Sequence, residues 1–192
     1  MKRIGIIGVG LLGSAVAARL LENKFVVKGY DTRTEQVNQL QSRGLIPAEN
    51  VAEAAEEADA VFTILPSLES VEKTILGAGG LIETAAPKTT LIQMSTISPE
   101  LTRRLASAAA AKGPGFLDAP MSGTSAMVAS GDCTIFVAGD KLRSTRAVLS
   151  SMQLQRKPTM SATSAWRRSR SSRQICLSGS TRLLWQKRSS SG

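Results

Sequence analysis

Between Ile4 and Asp31 the chain carries a pattern that few folds accept. An apolar run, Ile4-Gly5-Ile6-Ile7, leads straight into Gly8-Val9-Gly10-Leu11-Leu12-Gly13. A helical apolar pattern follows, and a second run, Phe25-Val26-Val27, ends at Tyr30-Asp31. Strand, glycine-rich turn, helix, strand and acid, in that order, are the parts of a dinucleotide-binding βαβ unit. Gly8 lets the chain turn tightly, Gly10 lets backbone N–H groups approach a pyrophosphate, and Gly13 lets the helix pack close to the first strand. The helix opening at Leu11 and Leu12 offers N–H groups and a positive dipole end to phosphates. Asp31 lies 18 residues after Gly13, where a carboxylate can accept both hydroxyls of an adenosine ribose. Met1-Lys2-Arg3 ahead of apolar residues, with Ala15-Val16-Ala17 beyond, also has the outline of a signal peptide. The three spaced glycines and the second strand argue against that reading.

A chain of 192 residues has room for one full domain and part of another. Its hydrophobic share, 42%, suffices for a core, and no run is long and apolar enough to be expected to cross a membrane. Two cysteines, Cys133 and Cys176, make no disulfide framework and fit a reducing cytoplasm. There is no histidine, which removes the commonest general base and zinc ligand; a His-dependent dehydrogenase and a zinc enzyme are excluded, and no metal site is expected. The net charge of +9 is unevenly spread. The first 140 residues hold 12 Lys/Arg and all 15 Asp/Glu, whereas the last 52 hold 12 Lys/Arg and no acid.

The first 140 residues read as alternating strands and helices. Strands are predicted over residues 3–9, 25–30, 60–65, 90–94, 116–118 and 134–138, and helices over 11–21, 35–42, 50–58, 68–75, 98–112 and 142–152. The run 60–65 is apolar but for Thr63 and stopped by Pro66, as in a strand covered on both faces. Ser98-Pro99-Glu100 is a helix start and Gly113-Pro114-Gly115 a stop. Such repeated β-α units predict an α/β fold with a doubly wound parallel sheet. Ligands then bind beyond the carboxyl ends of the strands. Residues 8–13, Leu65-Pro66, Ser95-Thr96 and 120–123 all follow predicted strands, so all are expected to line one crevice.

These stretches together resemble the β-hydroxyacid dehydrogenase family, which includes 3-hydroxyisobutyrate dehydrogenase, tartronate semialdehyde reductase and 6-phosphogluconate dehydrogenase. Ala58-Asp59-Ala60-Val61-Phe62-Thr63-Ile64-Leu65-Pro66, Met94-Ser95-Thr96-Ile97-Ser98-Pro99 and Asp118-Ala119-Pro120-Met121-Ser122-Gly123 carry the likeness, and Gly131-Asp132 to Gly139-Asp140 continues it. The resemblance covers roughly residues 1–152. It implies a Rossmann-type domain whose cofactor contacts are Gly8, Val9, Gly10, Leu11, Leu12, Gly13, Asp31, Arg33, Leu65, Pro66, Ser70 and Thr96. It implies a small 3-hydroxy acid as substrate, its carboxylate held by Ser122 and Gly123 with Thr124 beside them. Two departures stand out: Gln93 where the family often has Asp, and Thr124 where many members have a second glycine. Asp31 favours NAD by repelling a 2′-phosphate, while Arg33 leaves NADP possible.

In this family a long helix follows, with a catalytic lysine and, four residues on, an asparagine; an all-helical second domain comes next. Here the lysine position is Ser171 and the asparagine position Ile175, so no intact catalytic residue is expected, and the helical domain is expected to be lacking. Residues 153–192 are Ser/Arg-rich and acid-free, a basic tail beyond a dinucleotide-binding domain at 1–152. Three readings fit the tail: a nucleic-acid-binding arm, a disordered segment, or a shifted reading frame. The last is preferred, because a one-base shift is compatible with Val-Gly-Asp-Val-Gly-Val near position 160 and with lysine and asparagine at positions 171 and 175. The alternatives for function are a dehydrogenase, a non-catalytic NAD(P)-binding module and, least favoured, a nucleic-acid binder; the oligomeric state is left open. Sequencing the coding DNA between codons 145 and 175 checks the frame: codons unable to yield that lysine and asparagine after the shift exclude it.

Overall fold

Alternation within short apolar strands decides how the chain layers itself. The strands β1 (Arg3–Ile7), β2 (Val26–Tyr30), β3 (Ile46–Pro47), β4 (Ala60–Thr63), β5 (Thr90–Gln93) and β6 (Gly115–Asp118) pair in parallel, in the order β3-β2-β1-β4-β5-β6. The structure, a computed structural model, describes residues 2–139, 160–161 and 173–177. The strand order is that of a doubly wound dinucleotide fold, and it reverses between β1 and β4.

Successive side chains on a strand point to opposite faces, and here both faces are apolar. Ile6, Phe62, Ile92 and Leu117 stand in register across four strands. They belong to a buried cluster with Val16, Ala17 and Leu20 of α1 (Leu11–Glu22), Val37 and Leu40 of α2 (Thr34–Gln41), and Val128 of α7 (Ser125–Ser130). One residue along, Val61, Leu91 and Phe116 belong to a second cluster. It gathers α3 (Val51–Ala55), α4 (Leu68–Leu76), α5 (Leu81–Thr84) and α6 (Pro99–Lys112) on the other face. The result is a helix–sheet–helix sandwich with two cores.

Helix ends follow local chemistry. The Ser98 hydroxyl accepts the Leu101 N–H at 3.2 Å, Pro99 opens α6, and Gly113 closes it with φ of 112°. The helix expected over 50–58 is shorter: Asn50 caps it, accepting the Glu53 N–H at 2.9 Å, and it stops at Ala55. Glu57, with φ of 54°, turns the chain into β4 before another helical turn can form. The short β3 and α5 were beyond the reach of periodicity, having two and four residues.

One expectation needs correction. The sheet is parallel only as far as β6; β8 (Thr134–Gly139) runs antiparallel to it, with Asp118 opposite Ala138. After β6 the chain doubles back through β7 (Met121–Ser122), which pairs antiparallel with β8, and the six-residue α7. Antiparallel neighbours can be joined by such a short return, whereas a parallel pair needs a crossover of a dozen or more residues. Beyond β8 the backbone of β10 (Arg173–Leu177) and then β9 (Met160–Ser161) adds antiparallel strands. The helix expected over 142–152 lies outside the described residues, as does most of the basic tail.

Phe62 sits in a central strand with no exposed surface. Phe62→Ala is therefore expected to cost about 3–5 kcal/mol of unfolding free energy, measured by urea denaturation; a loss under about 1 kcal/mol would contradict its central place.

Candidate functional site

The turn after β1 is shaped by the fold at two of its glycines and left open at the third. Gly8 takes φ of 91°, and its N–H donates to the Tyr30 carbonyl at 2.9 Å. A Cβ there would fall 2.1 Å from the Ile64 carbonyl oxygen, and one at Gly13 would fall 1.9 Å from that of Gly8. Gly10 differs: within 4 Å a Cβ would meet only the Arg33 Nη2, at 3.3 Å. The space over Gly10 is thus free for a ligand to approach the backbone. α1 begins there, with Gly10 as its cap, no capping side chain and no acid in its first turn. Room for close approach, a positive helix end and no opposing carboxylate in that first turn suit a pyrophosphate. Leu12 is half-buried, while Leu11, 77% exposed, stands at the rim of the turn.

Asp31, at the end of β2, holds this turn in place. Its Oδ2 accepts the Val9 N–H at 2.7 Å and its Oδ1 the Arg33 N–H at 2.8 Å. The Arg33 Nε lies 3.7 Å from Oδ1. The carboxylate side chain is 8% exposed against 69% for Arg33, so the acid is held within the turn while the cation lies mostly in solvent. An ionised carboxylate has about four acceptor positions, so both oxygens keep capacity for ribose hydroxyls. The spacing of Asp31 suggested a ligand contact but not this structural bond to the turn.

The other strand ends bring their loops to the same edge. The Leu65 N–H donates to the Ser95 hydroxyl at 2.8 Å, tying the loop after β4 to the loop after β5. Ser95 was expected to line the crevice with Thr96, but not to make this bond between two loops. Pro66 and Thr96 are exposed. Ser70 is engaged at the start of α4, its hydroxyl donating to the Ser67 carbonyl at 2.8 Å and accepting the Ser67 N–H at 3.1 Å. Ser122 and Gly123 are exposed at the turn between β7 and α7. Thr124 caps α7, accepting the Met127 N–H at 3.3 Å. Ser171 lies outside the described residues, and Ile175 is described as backbone alone, opposite Val137 in β8. A groove of about 670 Å³ between α1, α2 and α7 lies on the outer face of α1 and shares only Leu11 with the turn.

Residues 3–154 match the NAD-binding domain of 6-phosphogluconate dehydrogenase. The chain belongs to that family. It is 36% identical over 140 residues to an NAD-dependent L-serine dehydrogenase of Pseudomonas aeruginosa, covering 73% of this chain and 47% of that protein. It is 34% identical over 139 residues to a 3-sulfolactaldehyde reductase of Escherichia coli, covering 72% and 47%. A solved Mycobacterium tuberculosis 3-hydroxyisobutyrate dehydrogenase with L-serine superposes with a TM-score of 0.74 at 32% identity, covering 81% of this chain and 53% of that one. The β-hydroxyacid dehydrogenase resemblance and the Rossmann-type fold are borne out, as is an NAD(P)-binding domain. The chain spans about half the length of the curated relatives it matches. Among the described residues, no helix is long and apolar enough to cross a membrane.

Beneath the crevice of this NAD-binding domain lies a row of polar side chains. Thr63, Gln93 and Asp118 end β4, β5 and β6 and are partners in register. Burial pushes the Asp118 carboxyl from 3.8 up to about 6, against the lowering effect of a 3.4 Å hydrogen bond from the Thr102 hydroxyl. The folded chain therefore keeps a proton that the unfolded chain releases between about pH 4 and 6. Stability contributed by Asp118 is present below that window and lost as pH rises through it, by about 3 kcal/mol for a shift of roughly two units. Asp118→Asn removes this loss: its unfolding free energy relative to the parent is expected to rise by up to about 3 kcal/mol from pH 4 to pH 7, measured by urea unfolding. A constant difference across that range would refute the assignment.

Proposed function

We propose that residues 1–152 form the cofactor-binding half of an NAD-dependent 3-hydroxy acid dehydrogenase. The observation that carries this reading is the contrast within the turn: Gly8 and Gly13 are closed off by the fold, while Gly10 is open. In this reading the backbone of residues 8–13, Gly8 through Val9, Gly10, Leu11 and Leu12 to Gly13, cradles the pyrophosphate. Asp31 takes the adenosine ribose hydroxyls, and Leu65, Pro66, Ser70 and Thr96 border the nicotinamide side. NAD is favoured over NADP because the buried Asp31 carboxylate repels a 2′-phosphate, and the solvent-exposed Arg33 offsets only part of that repulsion. Bound NAD supplies the hydride acceptor.

For the substrate we assign a small 3-hydroxy acid, its carboxylate received by the Ser122 hydroxyl and the exposed backbone at Gly123, with Thr124 setting the pocket's edge. L-serine, named for one relative above, is such a 3-hydroxy acid, whereas 3-sulfolactaldehyde, named for another, is a small aldehyde with a sulfonate in place of the carboxylate. Turnover needs an acid/base at the hydroxyl, and Ser171 and Ile175 stand where the family's lysine and asparagine belong. Without a positioned acid/base, rates fall by about a hundred- to ten-thousand-fold. A cofactor-binding module without turnover is accordingly the second reading, and Ser171 favours it. We place the chain in the cytoplasm, in keeping with a sequence whose two cysteines make no disulfide framework, and assign no nucleic-acid or membrane partner.

Titration of the full chain with NADH and NADPH by fluorescence tests the reading, with NADH expected to bind more tightly. Gly10→Ala is expected to weaken NADH binding roughly tenfold or more, the effect of losing one charge-assisted hydrogen bond. Its urea midpoint should stay unchanged, because only the Arg33 tip has to move. Binding of neither dinucleotide, or equal NADH affinity in Gly10→Ala, overturns the assignment.

A further inference from the structure

Three loops of the crevice rise from three buried polar residues. Thr63 precedes Ile64-Leu65-Pro66, Gln93 precedes Met94-Ser95-Thr96, and Asp118 precedes the turn to Ser122. The three are mutual partners in register on adjacent parallel strands, each two residues beyond Val61, Leu91 or Phe116, so all share the α4 and α6 side of the sheet. Gln93 is fully buried and Thr63 1% exposed. The Thr63 hydroxyl, both polar atoms of the Gln93 amide and the Asp118 Oδ1 have no hydrogen-bond partner. Buried polar atoms are rarely left so, because each gives up its water without replacement. Here they lie side by side across neighbouring strands, and their chemistry is complementary: a hydroxyl, an amide with one acceptor and two donors, and a carboxyl.

We propose that Thr63, Gln93 and Asp118 form one hydrogen-bonded ladder beneath the crevice, directly or through one bridging water, and so act as positioning residues that hold the cofactor loops and the substrate loop in common register. In that ladder the protonated Asp118 carboxyl is the donor toward the Gln93 Oε1 and the Gln93 Nε2 the donor toward the Thr63 hydroxyl oxygen. These atoms are not in direct hydrogen-bond contact in the structure, so each link needs a small side-chain rotation or a bridging water. The Thr102 hydroxyl, whose one proton is shared between the Ser98 carbonyl at 3.1 Å and the Asp118 Oδ2 at 3.4 Å, links the ladder to the start of α6. When Asp118 loses its proton, the Gln93 Oε1 loses its donor and a charge stands at the base of the substrate loop.

The surroundings of Asp118 make this state the controlling one. β5 contributes Gln93, β8 places uncharged Ala138 opposite, and α6 presents Thr102 while its Glu100, Arg103 and Arg104 are exposed. On α4, Glu69 and Lys73 are exposed, and Glu72 is paired with Arg104 at 2.7 Å. Among the described residues no charged side chain contributes to the shift of Asp118; burial alone pushes its carboxyl up to about 6. Neither Gln93 nor Thr63 titrates, so the ladder has a single titrating member. The chain has no histidine, so no side chain with an ordinary pKa titrates between pH 5.5 and 7.5 to mask it.

The test follows the Gln93 side-chain amide by ¹H–¹⁵N NMR in the full chain, assigned through its disappearance in Gln93→Met, from pH 5 to 7.5. The ladder predicts a midpoint near 6 that is abolished in Asp118→Asn, the neutral isostere, and an amide displaced at every pH in Thr63→Val. An amide that does not titrate, or that titrates equally in Asp118→Asn, overturns the ladder. The positioning role rests on the cofactor reading above and is read separately through NADH affinity. That affinity is expected to fall on the order of tenfold from pH 5.5 to 7.5 as the neutral form is depleted, and to stay within about twofold in Asp118→Asn. NADH binding that is equal at both pH values overturns the positioning role. A titrating amide with no NADH binding at any pH supports the ladder and overturns the cofactor reading.

Discussion

The close approach of α1 to β1 is the contact on which the rest of the site depends. With the Gly8 carbonyl 1.9 Å from where a Gly13 Cβ would stand, no larger residue fits. Because the helix comes in so near, its N-terminus lies directly over the end of β1 rather than beside it. Asp31 then closes the arrangement from β2 by accepting the Val9 N–H. The turn, the helix end and the acid form one rigid piece, and Gly10 is the place where that piece is open. A preorganised cradle of this kind can receive a dinucleotide without first ordering itself.

The carboxyl edge of the sheet has a second requirement. Loops that bind a polar ligand need polar support, yet the sheet beneath them is packed between two apolar clusters. Thr63, Gln93 and Asp118 stand at the boundary, the last in-register row before the crevice. An apolar row would pack more easily there. The polar one places hydrogen-bonding groups directly below Leu65, Ser95 and the turn to Ser122, and the raised Asp118 carboxyl is the consequence of doing so in a dry place.

Much of the parallel half of the fold was legible in the order of residues, because strands such as 60–65 are apolar on both faces and helices such as α6 carry their own start and stop. Among the described residues, the ends of the expected helices fell within one or two residues except where a positive φ at Glu57 cut α3 short. The return through β7 and α7 was not legible: two- and six-residue elements have too little sequence to show a period, and the direction of β8 depends on that return. Of the expected site residues, Gly8, Gly10, Gly13 and Asp31 sit together as expected, whereas Ser70 and Thr124 are engaged in capping helices.

By itself the sequence determined the chemistry available: a glycine-rich turn at the end of a strand, an acid after the next one, no histidine, and neither lysine nor asparagine at positions 171 and 175. Those are properties of local order, and short-range sterics and hydrogen bonding are enough to read them. Only the tertiary structure decided that Ser95 ties two loops together, that β8 runs antiparallel, and that Thr63, Gln93 and Asp118 meet in one buried row. These three residues are about thirty positions apart along the chain. They become neighbours only because strand register is set by packing both faces of the sheet at once.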